Sequence, residues 1–188
     1  MIILASNSPR RRELLNQIGV RFRVHAVDID ESPLFNESPL VYVQRIAAEK
    51  SAACVALLNT DEPVLAADTS VVLNGIIMGK PKDKDDALSM LRLLSNQTHQ
   101  VYSAVSLRVN EEHHEAVSIT DVTFRTLSDA EILAYWHTGE PLDKAGAYAI
   151  QGLGALFVQQ IQGSFSGVVG LPLFETSQLL QQQGIQLL

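Results

Sequence analysis

The chain has 188 residues, a net charge of −7 and a single cysteine, Cys54. An acidic protein is a poor nonspecific partner for nucleic acid, and one cysteine cannot form a disulfide within the chain. No apolar run reaches the roughly 18 residues of a membrane helix, and the N-terminal basic cluster follows an apolar run instead of preceding it, as a secretory signal requires. We therefore expect a cytoplasmic protein, with no membrane partner, whose residues 1–188 form one domain or two small lobes.

The first predicted unit is a strand, a polar turn and a helix. Ile2–Ala5 are apolar, Ser8 is suited to cap a helix, and Pro9 is suited to the first helical position. The helix is expected to end at Gly19. Its first turn carries three residues that oppose the helix dipole: Arg10, Arg11 and Arg12. Free amides and guanidinium groups at one place predict an anion site, with a solvated basic face as the alternative.

An acidic segment follows a second predicted strand, Arg21–Ala26. It contains Asp28, Asp30 and Glu31. Asp30 or Glu31 could hold a hard divalent ion, which prefers carboxylate oxygens. A phosphatase that uses Asp28 as its nucleophile and a plain solvated loop are the alternatives. A second helix is predicted from the cap Ser38 onward, and its buried stripe comprises Val43, Ile46, Ala47 and Val55.

Residues 64–73 predict a central strand, because both of its alternating faces are mostly apolar. Asp68 interrupts one face, and a carboxylate buried there requires a cation, hydrogen-bond donors or a proton. Asn74-Gly75 predicts a hairpin turn, after which the chain returns toward Lys80. The pattern therefore predicts a positive charge near Asp68. A core aspartate that caps a loop is the alternative interpretation.

The second half of the chain combines helices with an antiparallel strand pair. We expect helices over 83–94 and 129–137, strands over 101–109 and 116–124 with a solvated turn at 110–114, and a last strand over 155–161. The glycine-rich segment 139–154 predicts a loop whose backbone approaches a ligand closely, or an ordinary connection. Within it, Asp143 and Lys144 supply charges, and Gln151 can both donate to and accept from an amide-like edge, such as that of a pyrimidine base.

Five segments together resemble a known family over nearly the whole chain. They are Ser-Asn-Ser-Pro-Arg-Arg at 6–11, Ala-Ala-Asp-Thr at 66–69, Gly-Lys-Pro at 79–81, Asp-Lys-Ala-Gly-Ala-Tyr-Ala-Ile-Gln-Gly at 143–152 and Gly-Ser-Phe-Ser-Gly-Val-Val-Gly-Leu-Pro-Leu at 163–173. In this order and spacing they resemble the Maf family of nucleoside triphosphate pyrophosphatases. The resemblance implies a single Maf-like domain with an α/β fold similar to that of the inosine triphosphate pyrophosphatases. Such a fold has a long twisted mixed β-sheet flanked by helices, and two lobes around a central cleft.

The resemblance also implies a reaction and a role for each matched residue. Family members hydrolyse a nucleoside triphosphate to the monophosphate and pyrophosphate, using a divalent cation such as Mg²⁺ or Mn²⁺, and a homodimer is expected. Carried over by position, Asp68 is the general base or a metal ligand, Glu31 helps to hold the metal, and Lys80 completes the catalytic set. Lys80 also binds the triphosphate, together with Ser8, Arg10, Arg11, Lys50 and, as a further candidate, Lys144. Thr69, Gln151 and Arg10 set the base preference.

The Ile-Gln-Gly sequence at 150–152 resembles the branch of the family that acts on dTTP, UTP and modified pyrimidine nucleotides, which implies house-cleaning of the nucleotide pool. Ala149 replaces the usual glycine; if this position needs a positive φ, the replacement costs about 1 kcal/mol. One alternative is the same chemistry on another nucleotide, such as 7-methyl-GTP. Another is a nucleotide-binding interaction protein that inhibits septum formation and cell division, in which hydrolysis is incidental.

Overall fold

The computed structural model describes residues 1–187. Its helices are α1 (Pro9–Gln17), α2 (Pro39–Leu58), α3 (Lys84–Leu94), α4 (Asp129–His137), α5 (Phe165–Val169) and α6 (Leu173–Gln182). Its strands are β1 (Ile2–Leu4), β2 (Phe22–Val24), β3 (Val64–Leu73), β4 (Ile76–Met78), β5 (Thr98–Val109), β6 (Glu112–Phe124) and β7 (Val158–Gln162). Short 3₁₀ helices occupy Ala145–Ala147 and Leu153–Phe157. Over residues 1–187, none of the helices has the length and apolar character needed to cross a membrane.

The strands of residues 1–187 form one seven-stranded sheet in the order β2-β1-β3-β5-β6-β7, with β4 also paired to β3. β1 pairs in parallel with β2 and β3, and the other pairs are antiparallel. Helix α2 packs on β3 and β5, while α5 and α6 pack on β5 and β6. The expected α/β fold, a mixed sheet flanked by helices, is therefore confirmed.

The long strand β3 has a gap along one of its edges. β1 pairs with Val64 and Leu65, whereas β4 pairs with 71–73. On the other edge, β5 pairs with β3 continuously from Val64 to Val72. Within the described part of the chain, residues 66–70 therefore have a strand partner on one side only. This gap contains Asp68, and it opens the sheet at the middle of its central strand.

The two faces of β3 belong to different apolar clusters, as the alternation of its side chains predicts. Val64 and Ala66 pack with Cys54 of α2. Leu65, Ala67 and Val71 face the larger cluster, which extends to α3, α4 and α6. β3 is thus covered on both sides, which explains why an almost unbroken apolar sequence forms this strand.

Local capping and turn signals are confirmed at the predicted positions. Ser8 and Ser38 each accept a hydrogen bond from the backbone amide of the third residue of the helix, and each is followed by proline. Ser128 forms a complete capping box with Glu131. Asn74 and Gly75 both have positive φ, at 51° and 79°, as a tight hairpin requires.

Several element boundaries predicted from the sequence are wrong, and one short helix was missed. β6 begins at Glu112, so His113 and His114 lie in the strand pair and not in a solvated turn. The last strand starts at Val158 because the preceding residues 153–157 form a 3₁₀ helix. Helix α5 was not predicted, since five residues are too few to show helical periodicity.

Candidate active site

A cleft of about 760 Å³ opens where the edge of β3 is unpaired. Its walls come from the β1–α1 turn, the loop before α2, the middle of β3, the end of the β4 hairpin, the 143–151 segment and the turn after α5. All ten residues to which the family resemblance assigns a role line this cleft: Ser8, Arg10, Arg11, Glu31, Lys50, Asp68, Thr69, Lys80, Lys144 and Gln151. Residues from distant parts of the sequence thus meet at one place.

The floor of the cleft holds a lysine between two carboxylates. Lys50 Nζ, from α2, donates to Asp68 Oδ1 at 2.9 Å and lies 2.8 Å from Glu31 Oε1. Asp68 is only 7% exposed. Its charge is therefore compensated by the ammonium group, which is the cation that its position in a buried strand requires. We call Glu31, Lys50 and Asp68 the acid–lysine cluster.

Tyr42 of α2 stabilises this cluster through a hydrogen bond to the backbone of Glu31. Its hydroxyl donates to the backbone carbonyl of Glu31 at 2.8 Å. Burial, with the nearby charges of Asp68 and Glu31, raises the pKa of Tyr42 to about 12, so the hydroxyl keeps its proton. Burial also raises the pKa of Glu31, but Lys50 outweighs burial, and the net pKa is lowered. Glu31 is thus held as a carboxylate.

The opposite wall is the N-terminus of α1. Arg11 Nε donates to the carbonyl of Gly170 at 2.8 Å, and its terminal nitrogen donates to Ser6 Oγ at 3.2 Å. Arg10 Nε is buried and finds no hydrogen-bond partner among residues 1–187. Burial lowers the pKa of both guanidinium groups, which nevertheless stay charged at neutral pH. This wall therefore presents buried positive charge, while Arg12 is not among the cleft-lining residues described.

Two further cations and an amide lie on the remaining wall. Lys80 follows β4, and Lys144 and Gln151 belong to the 143–151 segment. Burial lowers the pKa of Lys144, and the positive charge of Arg10 lowers it further. Positive groups are therefore close enough to repel each other, and an anionic ligand would relieve that repulsion.

Thr69 reaches the cleft from the face of β3 opposite to Asp68. Its hydroxyl is 2.9 Å from Ser103 Oγ of β5 and donates to the carbonyl of Gly170 at 3.4 Å. The same carbonyl accepts from Arg11. Gly170, at the end of α5, thus links Thr69 to Arg11, because both side chains donate to its carbonyl.

Ala149 does not carry the backbone penalty that a positive φ would impose. It is not among the described residues with positive φ; Asp143 and Ala147 are, at 60° and 59°. The replacement of the usual glycine by Ala149 is therefore compatible with the loop. Ala147 instead occupies the left-handed region, two positions earlier in the chain.

Within residues 1–187, no group of three or more His, Cys, Asp or Glu side chains is arranged to hold a metal ion. Glu31 and Asp68 nevertheless lie close together, because each contacts the same Lys50 nitrogen, at 2.8 and 2.9 Å, through one of its two carboxylate oxygens. Two carboxylates are a sufficient protein contribution for Mg²⁺, which takes its other ligands from water and phosphate. The donor set therefore fits a divalent cation that binds together with a phosphorylated ligand.

Three cleft residues that form hydrogen bonds with predicted site residues were not assigned a role from the sequence. They are Ser6, Tyr42 and Gly170, which support Arg11, Glu31 and Thr69 through hydrogen bonds. Ser6 and Gly170 lie within two of the five motif segments, so the motifs were the signal that could have indicated them. Tyr42 lies outside every motif segment and contributes through tertiary packing, which leaves no local pattern.

This fold and this cleft define an α/β protein in which carboxylates and several cations line one space that is large enough for a polyanion. The model of the Maf-like protein family matches residues 1–183, so the chain belongs to the Maf family. A protein of Methylococcus capsulatus named dTTP/UTP pyrophosphatase is 54% identical over 184 residues, which cover 98% of this chain and 91% of that protein. A protein of Pseudoalteromonas translucida with the same name is 53% identical, covering 96% of this chain and 95% of that one.

A search of solved structures gives more distant similarity. The Staphylococcus aureus Ham1 protein aligns with a TM-score of 0.49 at 19% identity, covering 65% of this chain and 71% of that one. The assignment to the family therefore depends on the sequence matches.

Proposed function

We propose that this chain is a nucleoside triphosphate pyrophosphatase that hydrolyses dTTP and UTP, and modified pyrimidine nucleotides, to the monophosphate and pyrophosphate. We further propose that it works as a cytoplasmic homodimer in the house-cleaning of the nucleotide pool. The observation that carries the proposal is the acid–lysine cluster facing the guanidinium groups of α1 within one cleft. The names of relatives with 54% and 53% identity support the choice of nucleotides.

The cations of the cleft suit a triphosphate. The ligand carries about four negative charges, and Arg10, Arg11, Lys80 and Lys144 gather them while the Ser8 hydroxyl and the Arg10 amide supply hydrogen bonds. These fixed donors also stabilise the charge that develops on the leaving pyrophosphate. Because Arg11 is held by Ser6 and Gly170, its guanidinium group needs no reorganisation when the substrate binds.

Asp68 is the base in this proposal. Its carboxylate accepts a proton from a water molecule whose oxygen attacks the α-phosphorus in line with the bridging oxygen to the β-phosphorus. The new bond joins the water oxygen to the α-phosphorus, and the bond to the bridging oxygen breaks. That oxygen leaves with the bonding electrons as part of pyrophosphate. Lys50 orients the carboxylate before the reaction.

Glu31 and Asp68 would hold a divalent cation, Mg²⁺ or Mn²⁺, together with the phosphate oxygens. Such an ion would supply charge neutralisation of the triphosphate. Base choice is assigned to Thr69, Gln151 and Arg10, which line the same cleft. The Gln151 amide can satisfy both a donor and an acceptor on a pyrimidine edge.

The test is product analysis of wild type, Asp68→Asn and Asp28→Asn with dTTP, UTP, CTP, GTP and 7-methyl-GTP, in the presence of Mg²⁺ or Mn²⁺. We expect pyrophosphate and monophosphate from dTTP and UTP, and a loss of about 10²–10⁴-fold in kcat in Asp68→Asn. Asp28 is exposed and is not among the described residues that line the cleft, so the same substitution there is a matched control.

Three outcomes would contradict the proposal. Free phosphate as the product, with activity lost in Asp28→Asn, would indicate the aspartyl-nucleophile phosphatase. A preference for 7-methyl-GTP would indicate the other branch of the family. Nucleotide binding that persists in Asp68→Asn, without turnover by wild type, would indicate a binding protein.

A further inference from the structure

The backbone on both sides of Gln151 is tied to two side chains that lie behind the cleft. We call residues 149–154 the Gln151 loop. The Ala149 amide donates to the hydroxyl of Tyr135 at 3.1 Å. The amides of Leu153 and Gly154 donate to the two carboxylate oxygens of Glu140, both at 2.9 Å. The loop is therefore fixed before and after the glutamine, while the Gln151 side chain itself is exposed at the cleft.

Glu140 and Tyr135 act as one unit. The Tyr135 hydroxyl donates to Glu140 Oε1 at 2.7 Å, and the same hydroxyl accepts from Ala149. Burial raises the pKa of Glu140, but the amide of Gly154, the hydroxyl of Tyr135 and the amide of Leu153 outweigh burial and lower the pKa overall. Glu140 is therefore a carboxylate with acceptors only, matched to three donors.

The glycines of the Gln151 loop are explained by this unit. A Cβ atom on Gly152 would lie 2.2 Å from Glu140 Oε2, and one on Gly154 would lie 2.8 Å from the Tyr135 hydroxyl. The sequence predicted a backbone that approaches a ligand closely at these glycines. In the structure, these two glycines closely approach the protein's own Glu140 and Tyr135.

Neither Glu140 nor Tyr135 is among the described residues that line the cleft, so neither is placed to touch a bound nucleotide. Their effect on a ligand must pass through the backbone that carries Gln151. No other carboxylate among residues 1–187 hydrogen-bonds to the amides of this loop. Glu140 thus binds the backbone two and three positions after a residue assigned to base choice.

We propose that Glu140, supported by Tyr135, is a positioning residue that sets the selectivity for dTTP and UTP by holding the Gln151 loop in place. This inference rests on the proposed function. It assigns Glu140 a role in recognition, at a distance from the phosphates and from Asp68. Loss of Glu140 should therefore affect how the base is bound and leave the bond-breaking step nearly unchanged.

Glu140→Gln is the most informative variant, because it replaces the carboxylate by an amide and keeps the size of the side chain. An amide has one acceptor oxygen, so the nitrogen of the new side chain must face at least one donor of the loop. With the oxygen at the Oε1 position, the nitrogen would face the Leu153 amide, two donors in opposition. Tyr135→Phe is the second variant, because it removes the hydroxyl that joins Ala149 to Glu140.

The matched control is Glu131→Gln. Glu131 lies in the first turn of α4, contacts Ser128 and Arg125, and is not among the described cleft-lining residues. It undergoes the same chemical change, with a comparable loss of hydrogen bonds, outside the Gln151 loop. Any general effect of replacing a hydrogen-bonded glutamate should appear in this variant as well.

The experiment measures kcat and KM for dTTP, UTP, CTP and GTP, together with hydrogen exchange of the amides in residues 149–154. In Glu140→Gln we expect KM for dTTP and UTP to rise about tenfold with kcat changed less than about threefold, so that selectivity over CTP and GTP falls about tenfold. Exchange in the Gln151 loop should accelerate. Tyr135→Phe should change selectivity in the same direction, and Glu131→Gln should match wild type.

Wild-type selectivity in both Glu140→Gln and Tyr135→Phe would overturn the inference while leaving the proposed function intact. An equal loss of activity on all four nucleotides would also overturn it, because a merely structural role predicts that result. A wild-type protein that hydrolyses none of the four nucleotides would refute the proposed function itself, and this inference with it.

Discussion

His99 is buried in β5 and should make the stability of the protein depend on pH. It is 1% exposed and packs edge-on against Phe124, with ring centres 5.0 Å apart. Its Nε2 shares a hydrogen bond of 2.9 Å with the hydroxyl of Tyr148, and its Nδ1 has no partner among residues 1–187. Burial without a counter-charge lowers the pKa of His99 from 6.5 to about 4. The folded protein therefore holds this ring in its neutral form.

The size of the change in stability with pH follows from the difference between the pKa of His99 in the unfolded chain, 6.5, and in the folded protein, about 4. Above about pH 6.5 both folded and unfolded chains carry neutral His99, so the contribution to stability is complete. As the pH falls from 6.5 toward 4, the unfolded chain takes up a proton that the folded chain refuses. Integration from about pH 7.5 to about pH 5 gives a loss of about 2 kcal/mol in the free energy of unfolding.

The measurement is urea unfolding of wild type, His99→Gln and His137→Gln at these two pH values. His137, at the end of α4, is exposed and provides the matched control. On acidification, the free energy of unfolding of wild type and of His137→Gln should fall by about 2 kcal/mol more than that of His99→Gln, because only His99→Gln lacks the buried ring. An equal loss in wild type and His99→Gln would refute the reasoning. Titration of the His99 ring by NMR would then show where its pKa lies.

Two further predictions concern the cleft and its loop. Lys50→Met removes the ammonium between two carboxylates, so the free energy of unfolding should fall by about 3 kcal/mol in denaturant titrations, and adding Asp68→Asn should restore most of it. An unchanged midpoint in the single variant would contradict this expectation. Gly154→Ala places a Cβ 2.7 Å from the carbonyl oxygen of Ala149 and should lower the free energy of unfolding by about 1–3 kcal/mol. Gly79→Ala, which meets open space, should change it little; equal losses in both variants would exclude the steric explanation.

Features that depend on a few neighbouring residues could be predicted from the sequence. A cap such as Ser8 acts within one turn of helix, and the Asn74-Gly75 turn requires only two residues with positive φ. The start of β6 could not be predicted in this way. His113 is polar and follows a turn, but it pairs opposite Arg108 and its Nε2 lies 2.8 Å from Ser106 Oγ of β5. Pairing with a long neighbouring strand outweighs the local polar signal.

The members of the candidate site were predictable where a motif contained them, whereas their mutual arrangement was not. Lys50 reaches Asp68 because α2 packs across β3, a contact between segments 18 residues apart in the sequence. The role of Glu140 is a stronger example. It forms hydrogen bonds with a loop that begins nine positions later, through donors that are backbone amides. Backbone donors leave no trace in the residue types, so the pattern at 139–154 could indicate a close approach but not its target.

The gap in the edge of β3 explains how adjacent residues from opposite faces of one strand reach the same cleft. Neighbouring side chains of a strand point to opposite faces, and Asp68 accordingly faces α2 while Thr69 faces Gly170 after α5. In a fully paired sheet, these two faces would be separated by the neighbouring strand. Because β1 pairs no further than Leu65 and β4 begins at Val71, both side chains reach the same cleft around the open edge. In the proposed function, this interruption allows one rigid strand to set the spacing between the base that activates water and the hydroxyl that contacts the nucleobase.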